Sequence, residues 1–166
     1  MGCLGVLFSL DEDTVNRLKS FNNDNDRLDY LQEEIEEYIM DEEPEQCAEL
    51  NKAWDALHRS LTDGKLEHNN GEFPLNHVIL GGEILYYADD YIMTLKTPEQ
   101  VKVISQAIDG ISKAQLRKGY DKIDGKYYGH LSDADFDDTW ESFQESVVFW
   151  KRAAEQKRYV LFTADQ

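Results

Sequence analysis

The chain has 166 residues, 41% of them hydrophobic, with 3 Trp, 9 Tyr and 7 Phe. That is enough to bury a sizeable core without disulfides or metal and excludes a disordered chain, so one domain over 1–166 is expected. The formal net charge is -17, from 34 acidic and 17 basic residues. Such a field repels phosphate backbones and anionic lipid, which argues against direct nucleic-acid and membrane-surface binding, and it attracts a basic partner.

Two cysteines, Cys3 and Cys47, are too few for a disulfide framework. The first ten residues show neither a basic leader nor a small-residue cleavage site. Val6 stands where a myristoylation start wants Ser or Thr. No apolar run approaches the ~18 residues that span a bilayer. The expectation is a cytoplasmic protein with reduced thiols.

Gly2–Leu10 reads as a buried strand stopped by Asp11-Glu12-Asp13. A short helix is predicted from Thr14 to Phe21, with Val15, Leu18 and Phe21 inward. After the Asn22–Asn25 loop, Asp26 is a candidate cap for a helix whose stripe is Leu28, Leu31, Ile35, Tyr38 and Ile39. From Asp24 to Glu49 there are twelve acidic residues and one basic residue, Arg27. Its plain reading is a solvated helix face. Its functional reading is a docking surface, with Glu33, Glu34, Glu36 and Glu37 off the stripe and Tyr30 and Tyr38 as aromatic anchors.

Pro44 breaks that helix. A central helix is predicted from about Ala48 to Leu61, with Leu50, Trp54, Leu57 and Leu61 on one face and His58 at its edge. Asp63-Gly64 ends it, and Lys65–His77 reads as a long surface loop. Gly81-Gly82 is a turn. Ile84–Tyr87 and Tyr91–Leu95 read as a hairpin around Asp89-Asp90. Thr97-Pro98-Glu99-Gln100 is a capping box opening a helix with Val101, Ile104, Ile108 and Ile111 inward. Ser112–Gln115 caps a further short turn of helix, and Gly119–Leu131 has no clear assignment. Ser132–Asp135 reads as another capping box, before a last helix striped by Phe136, Trp140, Phe143, Val147, Trp150 and Ala154. Tyr159–Thr163 closes the chain as a strand. Helices and strands without regular βαβ alternation make the fold class α+β, with strands at both termini.

Several fragments in this order resemble the YfbM-like family, small bacterial proteins of unknown function. They are Met1-Gly2 with Gly5; Lys52–His58 with Leu61-Thr62; Leu80-Gly81-Gly82; Thr97-Pro98-Glu99 with Val101; and Ala153-Ala154 before the final strand. The resemblance implies one α+β domain and a bacterial cytosolic setting, and it carries no catalytic residue. Cys3 departs from the apolar residue expected there, and Lys96 and the acidic run look particular to this chain.

Tests for chemistry fail at required residues. His58, His68, His77 and His130 lack the short spacings of a zinc site, and His68 and His77 are expected to face solvent. Asp133-x-Asp135-x-Asp137 opens a calcium loop, but Asp138 and Gln144 stand where Gly and Glu are needed. There is no Gly-x-Ser-x-Gly, and Cys47 sits among carboxylates that blunt a thiol. Glu83, not a cation, follows Gly81-Gly82, which disfavours a phosphate loop. No metal and no cofactor are therefore expected. The enzyme reading left is a small-molecule hydrolase or transferase in a cleft holding Trp54, His58 and the Gly81-Gly82 turn, with Asp55 or Glu83 orienting His58. The preferred expectation is a non-catalytic acidic module that binds a basic protein and so neutralises, for example, a toxin; its surface is Tyr30, Glu33, Glu34, Glu37 and Tyr38.

Overall fold

The structure, a computed structural model, describes residues 4–165. The beginning of the predicted first strand, Gly2 and Cys3, therefore lies outside the described residues. Five strands form one antiparallel sheet: β1 (Gly5–Leu10), β2 (Cys47–Asn51), β3 (Glu83–Ile84), β4 (Tyr91–Lys96) and β5 (Tyr159–Asp165), in the spatial order β2-β1-β5-β4-β3. The strands nearest the two ends of the chain lie side by side, with Gly5 opposite Ala164 and Leu10 opposite Tyr159.

Alternation along the strands sends side chains to two cores. Leu7, Val160, Phe162 and Ala164 face a core built from α4 (Ala53–Leu61), α5 (Pro98–Ile108), α6 (Lys113–Tyr120) and α8 (Asp133–Glu155). Phe8, Leu10, Met93, Leu95 and Leu161 face the other, closed by α1 (Glu12–Lys19) and by the helical stretch after it. That stretch comprises α2 (Asp24–Tyr30), a π-helical insertion (Leu31–Glu36) and α3 (Glu37–Glu42). With helices on both faces, β5 is buried on both sides, as its run Val160-Leu161-Phe162 requires.

The caps explain where helices begin. Asp11 accepts from the Thr14 amide at 2.8 Å, so α1 starts earlier than its apolar pattern suggests. Asn23, not Asp26, caps α2, and the Asp26 amide is the donor. Thr97 and Ser112 close complete capping boxes with Gln100 and Gln115. Ser132 accepts from the Asp135 amide at 3.0 Å, but the Asp135 carboxylate does not return to it. It accepts instead from the hydroxyls of Tyr120 (2.6 Å) and Tyr128 (3.3 Å), and this ties α6 and α7 (Gly125–Tyr128) to the start of α8.

The expected helix from Ala48 is a strand until Asn51, whose φ of 49° turns the chain into α4. Ala48 and Leu50 face the core under α8 while Cys47 faces the opposite one. Pairing with β1 overrides the helical preference of this stretch, as β context commonly does. Tyr38 also departs from expectation: it is 55% exposed, while Leu31, Ile35 and Ile39 carry the buried stripe.

Candidate functional site

The acidic run forms an open helical face. Buried Leu31, Ile35 and Ile39 clamp α2–α3 to the sheet. Arg27 locks its start: the guanidinium donates to the carbonyls of Leu18 (3.1 Å), Phe21 (2.6 Å) and Leu85 (2.8 Å) and to Asp24 (3.0 Å). The other Asp24 oxygen accepts from the Tyr87 and Ala88 amides. The one cation of the run is thus spent on holding the helix in place. Glu33, Glu34, Glu37, Asp41 and Glu42 remain exposed beside Tyr38, and none pairs with a cation among the described residues. Tyr30 lies differently, half-buried against Phe21 (5.2 Å between ring centroids) with the Arg17 guanidinium over it.

The acidic face runs on to the edge of the sheet. Burial and nearby Glu49 push the Glu36 carboxyl above the usual carboxylate range. Burial, then Glu49, Glu36 and Glu45, raise the Cys47 thiol, which keeps it protonated and unreactive.

His58 is fully buried. Its Nε2 lies 2.8 Å from the Glu67 carbonyl and 2.7 Å from Asn70 Oδ1. The Asn70 amide nitrogen donates to Thr62, Asp63 and the Lys65 carbonyl, so its oxygen must face His58 and Nε2 must carry the proton. Nδ1 has no partner among the described residues. Burial holds the imidazole below the ordinary histidine range despite the two bonds. Neither carboxylate named with it is its partner. Asp55 takes Arg59 at 2.5 Å, and Glu83 takes Lys19 at 2.9 Å on the surface. His58 holds the loop at Glu67 and Asn70 against α4.

Trp54 is buried against Phe162, 5.5 Å between centroids, and its indole fills the space that a side chain on Gly5 would need. Gly82 has φ of 124°, and a Cβ there would strike the Leu95 carbonyl oxygen; the turn leads into β3, not into a helix that could hold a phosphate. His68 and His77 are half-buried, against the expectation of exposure. The His68 ring nitrogen bonds the Gly82 carbonyl, and His77 Nδ1 bonds Asn76 Oδ1. Hydrogen bonds within the segment draw both rings inward. Among the described residues no group of His, Cys, Asp and Glu could hold a metal ion.

Sequence reasoning missed the burial of Lys96. Its amine has no exposure and donates to the Ile79 carbonyl and to Thr94 Oγ1 (3.0 Å), 5.5 Å from the Phe162 ring centre. Strand phase carried the signal: Ile92, Thr94 and Lys96 alternate onto one face.

A cleft of about 650 Å³ lies between the β2–α4 turn and α8. Glu49, Lys52, Asp138, Glu141 and Glu145 are among its lining residues, and His58 is not.

Fold and surface together define a helix-covered antiparallel α+β protein with an acidic face on α2–α3 and an acidic cleft between the β2–α4 turn and α8. The model of a family described as a domain of unknown function, DUF1877, matches residues 1–163, and the chain belongs to that family. None of the curated proteins matches the chain. The crystal structure of YfbM from Escherichia coli, a protein of unknown function, superposes with a TM-score of 0.70, covering 97% of this chain and 99% of that one. At 19% identity the likeness is one of fold. Among the described residues no helix is long and apolar enough to cross a membrane.

Proposed function

We propose that the protein is a non-catalytic binding module that docks a basic protein through the acidic face of α2–α3. The observation that carries this reading is the exposed group Glu33, Glu34 and Glu37 around Tyr38, with no pairing cation among the described residues, on a helix that Arg27 holds in place. Unpaired carboxylates on a fixed element speed encounter with a cationic surface and repel acidic competitors, and an exposed tyrosine adds contact area at low entropic cost. A net charge of -17 extends the attraction over the whole molecule. A nucleic-acid-binding toxin presents the complementary basic face, so covering that face is the neutralising role that fits this chemistry.

The test is capture of partners from the source cell at low salt, repeated with Glu33, Glu34, Glu36 and Glu37 changed to Gln. Partners released by the variant and by high salt support the reading. Equal retention by the variant and in high salt reduces the face to a solvated surface.

A further inference from the structure

Strand β2 is an edge strand: β1 pairs with it on one side, and among the described residues no strand pairs with the other. Among the described residues, Ala48, Glu49 and Leu50 make no backbone hydrogen bond outside the sheet, and the outward-facing amides and carbonyls of this stretch have no backbone partner there. The opposite edge, β3, has two residues and offers far less ladder.

Helix α8 runs beside this free edge. The 650 Å³ cleft and a second opening of about 360 Å³ share Glu49, Asn51 and Glu145, so they form one groove along β2. The first pairs Asn51–Ala53 with the start of α8, and the second pairs Glu45–Glu49 with Glu145–Arg152. Strand and helix therefore run antiparallel along the groove. Glu141 and Glu145 line it, and Val148, 60% exposed, gives it an apolar patch.

We propose that an extended basic segment of the partner adds to β2 as a further strand, with alternate side chains in the groove against α8. This rests on the reading that the partner is a basic protein. The spacing supports it. Glu141 and Glu145, one helical turn apart, are ~6 Å apart along the axis, and alternate residues of a strand are ~6.7 Å apart. Two basic residues at i and i+2 thus meet the two carboxylates in turn, and an apolar residue at i+4 reaches Val148. Backbone pairing supplies affinity and the groove supplies selection, as in other strand-addition sites. A second copy of this chain is the wrong occupant, because two chains of charge -17 repel.

The experiment is selection of a phage-displayed library of random dodecapeptides on the intact protein at low salt. Hydrogen exchange is then followed with the synthetic consensus peptide. The expected result is basic residues at alternating positions without proline between them, and protection of the Ala48–Leu50 amides. Proline between the basic residues, or Glu145→Lys in the protein, weakens binding on the order of tenfold. Glu145 is exposed and in no ion pair among the described residues, so the variant keeps its fold. Enriched basic peptides that tolerate proline and protect α3 but not β2 overturn strand addition while leaving the acidic-face reading intact. No enrichment of basic peptides overturns both. A dimer in sedimentation with protected β2 amides makes a second copy the occupant and also overturns the proposal.

Discussion

The amine of Lys96 donates to the backbone carbonyl of Ile79 at 2.5 Å, inside the protein and without a carboxylate partner among the described residues. This bond ties the central sheet to the irregular segment that ends at Gly82. Burial drives the amine well below the ordinary lysine range. The unfolded chain therefore binds a proton that the folded chain does not, and stability falls as pH drops from the unfolded value near 10.5 toward the folded one. In urea unfolding at pH 7, 8 and 9, the native protein should gain stability with pH relative to Lys96→Met, by at most ~1.4 kcal/mol per pH unit. A constant difference between the two proteins would show that Lys96 stays charged in the fold.

His77 gives an acid-side counterpart. Burial first, then Lys96 and His68, lower it from 6.5 to about 4. Its folded value is depressed, so its contribution is complete above pH 6.5 and is lost as pH falls toward 4. His77→Gln should flatten the stability profile between pH 6.5 and 4 while leaving it unchanged in shape above pH 7. Chemical denaturation at pH 7, 5.5 and 4.5 measures it; an unchanged acid slope would assign the acid sensitivity to other groups.

Two glycines, one within α6 and one in the turn before it, should respond differently to alanine. A Cβ on Gly119 would collide with the Ser60 carbonyl where α6 crosses α4, whereas one on Gly110 meets nothing within 4 Å. Gly119→Ala is expected to cost about 1–3 kcal/mol through forced separation of the helices. Gly110→Ala should stay within ~0.5 kcal/mol of the native protein. Urea midpoints decide it, and similar values for both would mean that the α4–α6 contact relaxes freely.

Arg27 should be the most sensitive charged residue of the acidic run. It serves three carbonyls and Asp24 at once, so Arg27→Ala strands several half-buried acceptors and should cost about 2–4 kcal/mol. Arg27→Lys should rescue little, since an ammonium cannot reproduce the fork. Thermal unfolding of both variants checks this, with Glu34→Gln as a surface control expected within ~0.5 kcal/mol.

The sequence by itself determined the features that depend on near neighbours. The stripe Phe136, Phe143 and Trp150 marked α8, Thr97 with Gln100 marked the start of α5, and the alternation of Tyr91–Leu95 marked β4. These suffice for an α+β fold with strands near both ends, and the charge pattern alone marked the acidic run. Caps, periodicity and charge density all act within a few residues, which is why they can be read locally. Tertiary structure decided the rest. Cys47–Asn51 is a strand because β1, about forty residues away in the chain, supplies its hydrogen bonds. His58 lies with Asn70 and the Glu67 carbonyl, not with Asp55 or Glu83, because the chain after α4 folds back over the buried ring and offers both oxygens. Lys96 is buried because the segment carrying Ile79 closes over it and offers a carbonyl. In each case the partner is distant in sequence, and pairing a buried polar group outweighs any local preference.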